Sequence, residues 1–77
     1  MVNINGILGI KEFEGMKPRI KDIRVSKGLM QIYVAKEAKI SQQQLSDYER
    51  GRTFPRIDKA YRLAKVLGVE VGDLYED

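Results

Sequence analysis

Three glycines limit what this chain can become. Gly28, Gly51 and Gly68 each close a stretch whose apolar residues recur three or four apart. That is the pattern of short amphipathic helices, each stopped by a residue that enters left-handed backbone without steric cost. The first helix is predicted from Pro18, a residue suited to the first helical position, with Ile20 and Ile23 inward. A second covers about Met30–Ala38, with Val34, Ala35 and Ala38 inward. A third follows the N-cap Ser41 and turns Leu45 and Tyr48 to the core. A fourth covers Ile57–Leu67, with Ala60, Leu63, Ala64 and Leu67 at core spacing. Val69 then packs, and Val71–Tyr75 is predicted as a short last helix with Leu74 inward. Five short helices predict a compact all-α domain.

Residues 1–15 differ in character. Asn3, Asn5, Gly6, Gly9 and Gly15 disfavour a helix. Three readings stand for this arm. It is a short strand near Ile7–Phe13 that needs a partner, such as the same strand of a second subunit. It is a disordered arm. Or Met16 is the natural start of the domain, which then spans residues 16–77.

The chain has 77 residues and contains neither cysteine nor histidine. Disulfides and thiolate metal sites are thereby excluded, along with the commonest general base and the commonest zinc ligand. Ser26, Ser41 and Ser46 have no evident activating partner, so no enzyme, metal or cofactor is expected. No apolar run approaches the roughly 18 residues of a membrane span. With no secretory pattern at the N-terminus either, a cytoplasmic protein is expected.

The net charge of +3 is unevenly spread. Residues 16–56 hold ten Lys or Arg against four acids, while the segments on either side are net acidic. The positive excess coincides with the predicted second and third helices and the loop Arg50–Arg56. The third helix opens with Gln42, Gln43 and Gln44. A glutamine amide donates and accepts at once, as the major-groove edge of adenine requires. A helix pair carrying such residues beside a basic loop predicts a helix-turn-helix reader with a phosphate clamp.

From Ile20 to Asp77 the chain resembles the lambda-repressor-like DNA-binding domain of Cro/Xre-type transcriptional regulators. The resemblance is carried by Ile23-Arg24, Gly28-Leu29, Gln31, Val34-Ala35, Ile40-Ser41, Leu45, Glu49, Gly51, Pro55, Leu63-Ala64, Leu67-Gly68-Val69 and Leu74. It implies a five-helix fold in which Arg24 and Glu49 form a buried ion pair that sets the angle of the reading helix. It implies base contacts from Gln42 and Gln43, with Ser46 and Asp47 also facing outward. Asp47 accepts from a cytosine amino group, repels wrong sequences, or points past the duplex. Phosphate contacts are implied for Gln31, Arg50, Arg52, Arg56 and Lys39, with Gln44 either touching a phosphate or supporting its neighbours. Two departures stand out. Lys39 occupies a turn position that is usually glycine, and Met30 a cap position that is usually Ser or Thr. The expected partners are a palindromic double-stranded operator and a second copy of the chain, with neither membrane nor small-molecule ligand. The expected role is a regulator, most simply a repressor. The alternative on the same fold is an antitoxin or protein-interaction module.

Overall fold

The computed structural model describes residues 15–77. The sequence reading of a strand near Ile7–Phe13 lies outside the described residues. Among the described residues the element order is β1 (Lys17–Pro18), α1 (Ile20–Ser26), α2 (Gln31–Glu37), α3 (Gln42–Arg50) and α4 (Ile57–Leu67). A single 3₁₀ turn (Val71–Leu74) and β2 (Tyr75–Glu76) complete it. β1 and β2 pair antiparallel, with Lys17 opposite Glu76 and Pro18 opposite Tyr75. The described residues therefore hold four α-helices and a two-stranded ribbon, rather than five helices.

Both differences from the sequence reading occur at this ribbon. Pro18 is not in the first helix, because the segment before Ile20 is extended and pairs with the C-terminal end of the chain. Arg19 adds a 2.7 Å backbone hydrogen bond from its N–H to the carbonyl of Leu74. Proline suits such an edge, having no N–H to leave unpaired. The predicted last helix shrinks to one 3₁₀ turn because Tyr75 is drawn into extended backbone (φ −138°, ψ 154°) to meet Pro18.

The core is built from the residues that the helical spacing turns inward. Ile20, Val34, Ala38, Leu45, Leu63, Leu67 and Leu74 are wholly or almost wholly buried, and Ile23, Ala35, Tyr48, Ala60 and Ala64 nearly so. Leu29, Ile40, Val66, Val69, Val71 and Tyr75 pack around them. Ala35 on α2 belongs to this core, and α2 packs directly against α3. Gly51 and Gly68 cap α3 and α4 in left-handed backbone. Arg62 ties α4 to the end of α2, its Nε donating to the Ala38 carbonyl at 2.8 Å.

Two local features cost stability. Lys39, in the turn between α2 and α3, has φ +61°. A side chain there crowds the following carbonyl, at a cost of roughly 1–2 kcal/mol. The Tyr75 hydroxyl is buried without a hydrogen-bond partner, although its ring stacks on Phe54 with centroids 5.1 Å apart. Burial, helped by the neighbouring Tyr48 phenol, pushes the Tyr75 phenol up to about 12 from an ordinary 10.0.

Two predictions follow from these features. Lys39→Gly is expected to stabilise the domain by about 1 kcal/mol in urea unfolding, by relieving the left-handed strain. Loss of stability would mean that the lysine side chain contributes more than the strain costs. For Tyr75, the folded state holds the proton more tightly than the unfolded state. Its contribution is therefore complete below pH 10.0 and is lost as pH rises through about 12. Tyr75→Phe should flatten the alkaline fall in stability and, at neutral pH, leave stability unchanged or raised by roughly 1 kcal/mol. An equally steep alkaline fall in the variant would contradict this.

Candidate nucleic-acid interface

The third helix is positioned from its own sequence outward. Ser41 is its N-cap, and the Gln44 N–H donates to the Ser41 hydroxyl at 2.9 Å. In return the Ser41 N–H donates to Gln44 Oε1 at 3.0 Å, closing a reciprocal capping box. Gln44 is thus occupied in holding the helix start. The S-x-x-Q spacing that builds the box was present in the sequence. Leu45 and Tyr48 point into the core, which leaves Gln42 and Gln43 exposed on the first turn and Ser46 and Asp47 half-buried beside them.

Behind this face lies a connected polar network. Arg24 on α1 reaches Glu49 on α3, with Nε donating to Oε2 at 2.6 Å and Nη2 donating to Oε1 at 3.2 Å. The third guanidinium contact is Nη1 donating to the Leu29 carbonyl at 2.9 Å. The side chains are only 12% and 4% exposed, so the pair sits largely out of water. From Glu49 the network continues outward. Gln31, at the start of α2, donates from Nε2 to Glu49 Oε1 at 3.1 Å. Its Oε1 accepts from Gln42 Nε2, also at 3.1 Å. One chain of contacts therefore runs Arg24–Glu49–Gln31–Gln42 and joins three helices. The resemblance implied the pairing of Arg24 with Glu49, but nothing in the sequence signalled the links through Gln31, which depend on the angle between α2 and α3.

The neighbouring amide has a partner of its own. Gln43 Nε2 donates to Asp47 Oδ1 at 3.2 Å, one turn along α3. That contact gives the half-buried Asp47 a role within the helix surface.

The cations form a second group. The side chains of Arg50, Arg52 and Arg56 are exposed at the end of α3 and in the loop that follows. Among the described residues, none of the three lies within ion-pair distance of a carboxylate. The loop is fixed at its start by the Arg52 N–H, which donates to the Asp47 carbonyl at 2.9 Å. Lys39 stands exposed in the turn before α3. The arrangement offers amide donors and acceptors on one helix turn, flanked by exposed positive charge. Among the described residues there is no cluster of groups able to hold a metal ion, and no helix is long and apolar enough to cross a membrane.

Residues 20–74 match the helix-turn-helix family. An HTH-type transcriptional regulator of Deinococcus deserti, DdrOP3, is 41% identical over 58 residues, covering 75% of this chain and 45% of that protein. This chain thus spans less than half the length of that relative. An uncharacterized HTH-type transcriptional regulator of Methanocaldococcus jannaschii is 34% identical over 64 residues, covering 80% of this chain and 97% of that protein. Among solved structures, the restriction-modification controller protein C.AhdI of Aeromonas hydrophila superposes with a TM-score of 0.69 at 27% identity, over 73% of this chain and 85% of that one. The clp gene regulator ClgR of C. glutamicum superposes with a TM-score of 0.66 at 27% identity, over 71% of each chain.

The buried pair yields a prediction. Arg24→Ala or Glu49→Ala leaves an unpaired charge in the interior and should cost about 3–5 kcal/mol. That is most of the stability expected of so small a domain. Replacing both with apolar residues, Arg24→Met with Glu49→Leu, should cost much less than the sum of the single changes. Additive losses in urea unfolding would show that the two side chains act independently.

Proposed function

The chain belongs to the helix-turn-helix family of Cro/Xre-type transcriptional regulators, and we propose that it binds double-stranded DNA sequence-specifically by laying α3 in the major groove. The observation that carries this reading is the pair of exposed amides, Gln42 and Gln43, on the first turn of a helix held rigidly from behind. Each amide presents a donor and an acceptor, the complement of the adenine edge. Ser46 and Asp47 flank them and make secondary base contacts. The binding unit spans residues 16–77.

Affinity comes from the cations. Arg50, Arg52, Arg56 and Lys39 contact phosphates on either side of the groove. Gln31 contributes its remaining amide N–H, and Gln44 steadies the helix start beside them. Support comes from the exposure of the four basic side chains and from the concentration of positive charge in residues 16–56. If about five phosphates are neutralised per half-site, log K falls with log salt at a slope near −4 to −5 per half. One small module buries too little surface for tight specific binding. The protein therefore acts as a homodimer on a palindromic operator, its two α3 helices separated by about 34 Å. Occupancy of such a site is enough to block transcription, so repression is its simplest role.

The assignment separates two kinds of mutant on the duplex that the wild-type protein prefers. Gln42→Ala should cost about 1–3 kcal/mol of discrimination at one base position and leave the salt slope unchanged. Arg52→Ala should weaken every sequence alike and reduce the slope by about one. Identical behaviour of the two variants would refute the division between reader and clamp.

A further inference from the structure

The basic loop after α3 is supported by an aromatic pair. At its start the Arg52 N–H donates to the Asp47 carbonyl at 2.9 Å. At its end Arg56 is the N-cap of α4, and its carbonyl accepts from the Ala60 N–H at 2.8 Å. Between these ends the Phe54 ring stacks on Tyr75, with centroids 5.1 Å apart and planes inclined by 29°. We propose that Phe54 and Tyr75 are positioning residues for the phosphate clamp. Their stack holds the loop in the shape from which Arg52 and Arg56 meet the backbone of the duplex. The proposal rests on the reading of this loop as the clamp.

Tyr75 makes a fixed platform. It lies in β2 opposite Pro18, packs on the core and has its hydroxyl buried. The ribbon meets the same loop at a second point. Pro18 Cγ and Cδ lie 3.5 Å from where a side chain on Gly51 would begin. The Arg19 N–H, bonded to the Leu74 carbonyl at 2.7 Å, fastens the ribbon to the end of the 3₁₀ turn. The seating of α3 thus comes from the Arg24–Glu49 pair, while the loop beyond it lies against the ribbon.

Phe54 is 38% exposed, too open to serve chiefly as core filling. A stacked pair holds beyond the area it buries, and here it fixes the middle of the loop. Arginine side chains keep their charge whatever the backbone beneath them does. Their phosphate contacts, however, need roots in the right place. A loop free to move must be ordered when DNA binds, which weakens the complex. A loop already stacked on Tyr75 avoids that loss. Phosphates carry no sequence, so the stack strengthens every duplex alike and leaves base preference untouched.

The test is a double-mutant cycle on the duplex that the wild-type chain selects and on its single-base variants. Binding is measured well below the unfolding midpoint of each variant. Phe54→Ala should weaken all these duplexes by one common factor, about fivefold, and Phe54→Tyr should bind like wild type. In a chain already carrying Arg52→Ala and Arg56→Ala, Phe54→Ala should cost about twofold or less, because the side chains it positions are gone. In a Gln42→Ala chain it should cost the full factor. Tyr75→Leu should reproduce the whole pattern from the other side of the stack. Equal losses on the two backgrounds would show that Phe54 acts apart from the arginines, and would refute the proposal. So would wild-type binding by Phe54→Ala where the arginine double variant binds weakly, with the clamp itself left standing. If the arginine double variant binds like wild type, the clamp reading fails and the proposal with it.

Discussion

The structure depends on one largely buried ion pair. Arg24 leaves α1 and meets Glu49 near the end of α3 through two hydrogen bonds, with a third to the Leu29 carbonyl. Such a pair gains little net stability, because desolvation offsets most of its attraction. What it provides is geometry. The planar fork donates to the carboxylate at a restricted angle and distance, which favours one seating of α3 against α1. The Gln31 and Gln42 contacts follow from that seating, and so does the aim of the exposed amides. An apolar contact at the same place would hold the helices together with less control over rotation.

In the proposed mode of binding, reading and gripping fall to different parts of the same segment. Discrimination would belong to neutral side chains on the first turn of α3, where the capping box and the core residue Leu45 hold the backbone. Grip would belong to charged side chains beyond its last turn, where Gly51 releases the chain into a basic loop. Neutral amides add little to long-range attraction and read at contact. Arginines attract from a distance and are tolerant of sequence. Placing the two at opposite ends of one helix would let base preference and salt dependence vary separately.

Much of this was legible in the sequence, for local reasons. The bounds of α3 and α4 follow from Ser41, Gly51 and Gly68, and the core follows from three- and four-residue spacing on each helix. The N-terminal end of the helical bundle was read less well. Pro18 satisfies a rule for helix starts, yet it lies in an extended segment because the chain's other end pairs with it. A pairing between residues so far apart in the chain leaves no periodic trace. The same pairing turned the predicted last helix into one 3₁₀ turn followed by an extended Tyr75. Within the site, the sequence already set Gln44 apart from Gln42 and Gln43, as a phosphate contact or a support for its neighbours. The hydrogen bonds show Gln44 in the capping box, with Gln42 and Gln43 facing outward. The link from Gln31 to Gln42 needed the inter-helix angle, which no local pattern encodes.

The most direct test of the central claim is selection of bound sequences from a random duplex pool at near-physiological salt. The account predicts one enriched palindromic motif, with half-site centres about one helical turn apart and adenine preferred where Gln42 and Gln43 meet the groove. Enrichment of no motif, with binding that disappears at moderate salt, would show that the protein grips phosphates without reading bases, and would contradict the account.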